Sequence, residues 1–314
     1  MKEQISTNVY TLKKGDTVYF LQSNGDIKES IWEDSIEQQN MRNLGYAFVS
    51  EEATNNKLIL RKILVSLRAN EYRFTTEDWE NDEVFKFSLS YNFEKNDLDI
   101  DHNFESKTDN IFFKNSEDGI IAIKNLLYNM KINIKDVIKK SFNSNSLNKI
   151  MIATESNFSD IKNKTFIKGD TVYLLNTDGT IIESEWIGND DQKMMNDLGF
   201  VFATKEEAKF EMNTQLIEEK IKQYAYDFTY EDWCNGDITK YYLDFSYIEK
   251  EISIVDSTTV KCTRFSFKEV EDIHNLIEEI GVKDLLLYYF KVSESYVLSN
   301  LDLVKVVDHS NEDE

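Results

Sequence analysis

The sequence predicts an α+β fold: two tandem copies of a domain with an N-terminal β-hairpin, an antiparallel sheet and packed helices. One observation is a repeat. KKGDTVYFLQSNGDIKESIW, which begins at Lys13, is nearly restated by IKGDTVYLLNTDGTIIESEW, which begins at Ile167. The other is that strand patterns and helix patterns are grouped within each copy rather than strictly alternating, which is typical of α+β domains.

The repeat recurs 154 positions along the chain, as from Gly15 to Gly169 and from Trp79 to Trp233. This is much longer than the repeat of a solenoid, so each copy is predicted to hold its own hydrophobic core. The predicted domains are a first copy (1–142), a linker rich in Ser and Asn (143–163), a second copy (164–292) and a C-terminal extension with an acidic tail (293–314).

Each copy is predicted to open with a hairpin. In the first copy, residues 18–21 and 27–32 flank Asn24-Gly25, and in the second Asp178-Gly179 occupies the equivalent position. Asn-Gly and Asp-Gly favour a type I′ turn, in which both central residues have positive φ.

A short helix is then predicted to end at a glycine C-cap in each copy, at Gly45 and Gly199. Ser50 and Thr204 are predicted to cap the next helix, and Thr204 forms a capping box with Glu207.

Alternating patterns predict a strand with one buried face in each copy. Its core-facing residues are predicted to be Phe85, Phe87, Leu89, Tyr91 and Phe93 in the first copy and Tyr241, Leu243, Phe245 and Tyr247 in the second. The partner strands are predicted at 97–101 and 251–255, and closing helices near 116–129 and 268–280.

The chain is strongly acidic, with 58 Asp and Glu against 36 Lys and Arg and a formal charge of −22. Such a charge disfavours nucleic acid and anionic membranes as partners and favours a basic protein surface. The acidity is equally compatible with a role in solubility alone. An N-terminus without an apolar signal segment, and two cysteines without CxxC spacing, predict a reduced, cytoplasmic protein.

These motifs together resemble a module of uncharacterised phage and prophage accessory proteins from low-GC Gram-positive bacteria. The likeness rests on the GD-x-x-Y hairpin, the LGYAF and LGFVF stretches, and the FTTEDW and FTYEDW motifs. Tyr46 and Phe200 stand where the module usually has Asn. The resemblance implies an accessory role such as counter-defence, host takeover or regulation, in the host cell cytoplasm.

No catalytic constellation, metal site or cofactor is predicted. His102, His274 and His309 do not recur between copies, and the sequence has neither a Walker A loop nor GxGxxG. Asp97, Asp99 and Asp101 lack the glycine and glutamate of an EF-hand loop. They are predicted to be the wet face of a strand, whose mutual repulsion a basic partner could relieve.

The tryptophans of the FTTEDW and FTYEDW motifs lie in the densest acidic segments that both copies share. Core packing is one interpretation; the other is a set of aromatic anchors, rimmed by carboxylates, for a basic groove. The residues of this hypothetical partner surface are Glu77, Asp78, Trp79, Glu80, Asp82, Glu83, Asp97, Asp99, Asp101, Glu231, Asp232 and Trp233.

The sequence therefore favours a non-catalytic inhibitor of a host defence nuclease, such as a CRISPR effector, that covers the nuclease's nucleic-acid-binding surface. One alternative is a protein that binds or sequesters a signalling nucleotide. Another is a hydrolase with a scattered active site.

Overall fold

The computed structural model describes residues 12–68, 74–81, 83–92, 97–103, 106–107, 112–114, 165–258, 260–261 and 265–309. Within these ranges no helix is both long and apolar enough to cross a membrane.

The strands of the described residues are mostly short. They are β1 (Thr17–Leu21), β2 (Ile27–Ile31), β3 (Ala47–Phe48), β4 (Lys86–Asn92), β5 (Asp97–Asn103), β6 (Ser106–Lys107), β7 (Phe112–Phe113), β8 (Thr171–Leu175), β9 (Ile181–Glu185), β10 (Val201–Phe202), β11 (Lys240–Ser246), β12 (Glu251–Ser257), β13 (Val260–Lys261) and β14 (Lys305–Asp308).

The helices fall between these strands in groups. They are α1 (Ile36–Asn43), α2 (Glu51–Arg68), α3 (Thr76–Glu80), α4 (Asp190–Asp197), α5 (Lys205–Tyr224), α6 (Tyr230–Cys234), α7 (Val270–Ile280), α8 (Val282–Asp284) and α9 (Glu294–Asn300), with a π-helical turn at Leu285–Tyr289 and a 3₁₀ turn at Leu301–Leu303.

The described residues form an α+β fold with small antiparallel sheets, which confirms this part of the predicted fold class. β1 lies between β2 and β3, and β8 lies between β9 and β10. Two further sheets have the orders β14-β12-β11-β6 and β13-β4-β5, with β7 also paired to β4. In the described residues only β12 and β14 pair in parallel.

Both predicted hairpins form, but the predicted type I′ turn is wrong. Gly25 and Gly179 have positive φ (86° and 85°), whereas neither Asn24 nor Asp178 does. Gly25 N–H donates to the Gln22 carbonyl (2.9 Å), and Gln22 N–H donates to the Asp26 carbonyl (2.8 Å). This is a three-residue loop with a left-handed glycine at its end, the next commonest hairpin connection.

The chain forms two compact units, and each draws on both halves of the sequence, by which we mean the residues before and after segment 143–163. We call them the hairpin unit (Val9–Ala69 and Lys124–Glu219) and the sheet unit (Met1–Asn8, Asn70–Ile123 and Lys220–Glu314).

The hairpin unit has one hydrophobic core that both halves of the chain build. Trp32 and Tyr46 share it with Trp186 and Phe200, and all four side chains are buried. The expectation that each copy buries its own aromatic side chains is therefore wrong for the hairpins. Each three-stranded sheet is too small to cover its apolar face alone, so the two halves cover each other.

The sheet unit joins the two halves by reciprocal strand pairing. β6, from the first half, pairs with β11 at Phe245 and Ser246. β13, from the second half, pairs with β4 at Tyr91 and Asn92, the positions 154 residues earlier. Each half thus completes the sheet of the other.

The predicted alternation holds from Leu243 onward in β11, where Leu243, Phe245 and the following Tyr247 are buried, but the start of the strand differs, because Lys240 is buried and Tyr241 is only partly buried. It fails at the start of β4, because Phe85 is 49% exposed while Lys86 is completely buried. The predicted glycine C-caps are present, with φ of 73° at Gly45 and 71° at Gly199.

The predicted linker 143–163 and the helix near 116–129 lie outside the described residues, so the predicted domain boundaries stay predictions. Part of the C-terminal extension is ordered structure. β14 lies beside β12, and His309 follows it, with its Nε2 2.8 Å from Glu251 Oε1.

Candidate partner surface

The FTTEDW and FTYEDW motifs form α3 and α6, two single-turn helices with the same cap. Thr75 and Thr229 are the N-caps, and each hydroxyl accepts a hydrogen bond from the backbone N–H three residues on. The carboxylates of Asp78 and Asp232 accept from the N-cap N–H groups, both at 2.8 Å. Reciprocal capping boxes therefore fix the direction of both helices.

The tryptophans of these motifs are core residues, because Trp79 and Trp233 are each 2% exposed. Trp79 makes edge contacts with Phe112, and Trp233 makes edge contacts with Phe228. Their assignment to a partner surface does not fit this burial, and the core-packing interpretation is the one the structure supports.

A buried lysine lies over each of these indoles. Lys86 Nζ is 5.3 Å from the Trp79 ring, and Lys240 Nζ is 5.2 Å from the Trp233 ring. Each ammonium donates to the carbonyl of the residue after the helix, Asn81 at 3.1 Å and Asn235 at 3.2 Å. Each ammonium therefore contacts the π face of an indole and the C-terminus of a helix, both of which favour a positive charge.

Lys240 has a further partner in the Thr258 carbonyl. Burial lowers the pKa of Lys240, and the nearby Asp232 carboxylate opposes this effect. The lysine is part of the framework that holds α6. Sequence reasoning missed both lysines, although a charged residue that recurs 154 positions later in an aromatic strand was an available signal.

The carboxylates of the motifs divide into two groups. Asp78 and Asp232 are half-buried and occupied by capping. Glu77, Glu80, Glu83 and Glu231 are exposed. Of these, Glu77, Glu80 and Glu231 lie on α3 and α6, whose positions are fixed by buried tryptophan and lysine side chains, and Glu83 lies in the turn after α3.

Glu80 lies at the edge of an aromatic cluster from the second half. The Trp79 ring stacks on Tyr247, and Tyr296 donates a hydrogen bond to the Tyr247 carbonyl at 3.2 Å. Burial, followed by the Glu80 charge, raises the pKa of Tyr296 to about 12. Burial also raises the pKa of Tyr247 well above its usual value, with Tyr296 and Glu80 adding to the effect.

The remaining predicted residues are placed less completely. Asp97, Asp99 and Asp101 belong to β5, which pairs antiparallel with β4 as predicted, but their side chains lie outside the described part. Asp82 also lies outside it.

The described residues include no group of three or more His, Cys, Asp or Glu side chains suited to a metal ion. Of the predicted histidines, His274 is exposed on α7 and His309 pairs with Glu251. Cys234, at the end of α6, is an exposed free thiol.

Comparison of the chain with protein-family models, with curated protein sequences and with solved structures found no match.

Proposed function

We propose that the protein is a non-catalytic, acidic interaction protein of a phage or prophage that inhibits a host defence nuclease, such as a CRISPR effector. It would act in the host cytoplasm by occupying the basic surface through which the nuclease holds nucleic acid. We also propose that the two halves are copies of one domain, and that their matching helices α3 and α6 face the partner.

The proposal rests on one observation: exposed glutamates lie on α3 and α6, two helices that are held in place by buried and hydrogen-bonded residues. Glu77, Glu80 and Glu231 project from helices whose caps, tryptophans and lysines are buried or hydrogen-bonded. Because the backbone of such a helix is already ordered, binding an arginine or lysine costs the entropy of the glutamate side chains but not that of the backbone.

The net charge of −22 supports the same partner chemistry. A long-range negative field would speed association with a basic groove and slow association with nucleic acid. Two copies in one chain could contact two basic patches, which raises affinity through effective concentration.

The test compares two variants that lose the same charge. One carries Glu77→Gln, Glu80→Gln and Glu231→Gln; the control carries Glu33→Gln, Glu52→Gln and Glu185→Gln, whose side chains are exposed in the hairpin unit. Both are titrated against a purified RNA-guided nuclease at low and physiological salt, with DNA cleavage as a second readout.

We expect the first variant to bind at least about tenfold more weakly, a loss of about 1.4 kcal/mol, and the control to bind like the wild type. Equal weakening of both variants would mean that charge acts without a defined surface. No binding of the wild type at low salt to any nuclease in a panel would contradict the proposed function.

A further inference from the structure

In the hairpin unit, α2 and α5 are joined by two ion pairs of the same polarity. Lys57 Nζ lies 3.3 Å from Glu219 Oε1, and Arg61 Nη2 lies 3.1 Å from Glu211 Oε1. All four side chains are at most 21% exposed. Since residue numbers rise along α2 as they fall along α5, the two helices run antiparallel where they meet.

Contacts between the two halves of this unit come in reciprocal pairs. A Cβ added to Gly25 would lie 3.3 Å from Leu198, and one added to Gly179 would lie 3.3 Å from Leu44. With the repeat offset of 154 residues, position 25 is equivalent to 179 and position 44 is equivalent to 198.

Two further contacts obey the same rule. Added Cβ atoms at Gly45 and Gly199 would crowd Glu219 and Val65, which are again matching positions. Tyr46 and Phe200 match each other and touch, with ring centroids 5.7 Å apart. Reciprocal contacts of this kind define an internal two-fold relation, as in the interface of a symmetric dimer.

This relation allows the pairing of two identical halves to be worked out. Lys57 and Glu211 occupy equivalent positions of the repeat. In the observed pairing, Arg61 of the first half contacts this position of the second half, which is Glu211. Two first halves from different chains would therefore set Arg61 of each against Lys57 of the other.

Two second halves would meet a similar conflict. Val65 and Glu219 are also equivalent positions. In the observed pairing, Lys57 contacts Glu219, so the position of Lys57 and Glu211 faces the position of Val65 and Glu219. Two second halves would thus set Glu211 of each against Glu219 of the other. Like charges in a largely buried contact oppose association strongly.

We infer that the charges of α2 and α5 select pairing of a first half with a second half and exclude pairing of like halves. Because both halves belong to one chain, their effective concentration favours closure within that chain, so the protein is a monomer. This inference rests on the proposed duplication and is independent of the proposed partner.

Charge reversal at the equivalent positions 57 and 211 tests the inference on the full chain. The variant Lys57→Glu with Glu211→Lys would oppose Glu219 and Arg61 within the chain. Between two chains, the new carboxylate would face Arg61 and the new ammonium would face Glu219, so both pairings of like halves would become attractive. We expect this variant to form concentration-dependent dimers in sedimentation velocity, where the wild type stays a monomer.

Two further variants complete the experiment. Lys57→Gln with Glu211→Gln removes both internal ion pairs without creating an attraction between like halves, so we expect it to lower the Tm and remain monomeric. Lys57→Glu with Glu219→Lys keeps both internal ion pairs, one with reversed polarity, so closure within the chain should prevail and give a monomer with a Tm near the wild type.

A charge-reversed variant (Lys57→Glu with Glu211→Lys) that folds, as judged by circular dichroism, but stays monomeric would overturn the inference, as would a dimeric wild type. Dimerisation of the glutamine control as strong as that of the charge-reversed variant would overturn it too. If the charge-reversed variant does not fold, Lys57→Glu with Glu219→Lys decides: a folded monomer supports the inference, and failure to fold contradicts it.

Discussion

The indole of Trp79 stacks on the ring of Tyr247, with centroids 5.7 Å apart and an interplanar angle of 14°. The two residues come from different halves of the chain and lie in one core of the sheet unit. The motif that looked most like a surface anchor is thus a point where the halves are held together.

Trp79→Ala should lower the free energy of unfolding by about 3–5 kcal/mol, because it removes a large buried ring and leaves a cavity. Trp79→Phe should cost less, since it retains part of the stack. Urea unfolding monitored by circular dichroism measures both. A loss below about 1 kcal/mol for Trp79→Ala would show that the ring is not a core element.

Lys240→Met should destabilise the fold by about 1–3 kcal/mol, because the carbonyls of Asn235 and Thr258 lose a buried donor while the aliphatic stem is kept. Lys209→Met, at an exposed position on α5, is the matched control and should stay within about 0.5 kcal/mol of the wild type. Equal effects of the two substitutions would contradict a structural role for the buried ammonium.

Gly45→Ala should destabilise more than Gly188→Ala, although the two glycines have similar φ, 73° and 69°. An added Cβ at Gly45 would clash with Glu219 Oε1, whereas one at Gly188 would meet only Trp186 Nε1, at an ordinary contact distance of 3.6 Å. Both substitutions place a Cβ on a left-handed backbone, which costs about 1–2 kcal/mol. Gly45→Ala should cost more, because the clash would also displace Glu219 from its ion pair with Lys57. Chemical denaturation of the two variants gives the difference, which should be clearly above zero.

Stability should fall as acid protonates Glu251. Although burial would raise the pKa of this carboxyl, hydrogen bonds from His309 and Ser253 outweigh it and leave the pKa below its usual value. The folded state then binds its proton less readily than the unfolded state, so the stabilisation is complete above about pH 4.3 and is lost as pH falls through the lower folded pKa. Glu251→Gln should flatten this part of the stability profile, and a profile unchanged by the substitution would contradict the assignment.

Stability should also fall in alkali, because the pKa of Tyr296 is raised to about 12. Between about pH 10 and that value the unfolded tyrosine releases its proton and the folded one retains it, so folding is opposed increasingly as pH rises. Tyr296→Phe should reduce the slope of stability against pH in this window. Urea midpoints measured from pH 9 to 11.5 would show the difference, and parallel curves would argue against it.

Local signals in the sequence predicted the local structure well. The glycine at position 25 marked the hairpin, Gly45 marked the helix end, and the alternation in β11 marked the buried face. The turn type was wrong because Asn24-Gly25 is compatible with several loops, and the choice depends on strand twist and loop length.

The pairing of the two halves could not be predicted, because it depends on contacts between residues more than a hundred positions apart. Nothing local to Lys86 shows that its ammonium is satisfied by an indole and a helix end. Likewise, the charges of Lys57 and Glu219 become complementary only when α2 and α5 are brought together.

The most direct test of the proposed function is a competition between the protein and DNA for one purified RNA-guided nuclease. We expect the protein to displace labelled DNA from the nuclease. The DNA concentration required for half-maximal binding should rise with the concentration of the protein, and no complex should contain both. Displacement should weaken steeply as salt rises, since the carboxylates and the phosphates share the same basic residues. A stable complex of nuclease, DNA and protein, or no displacement at low salt, would contradict it.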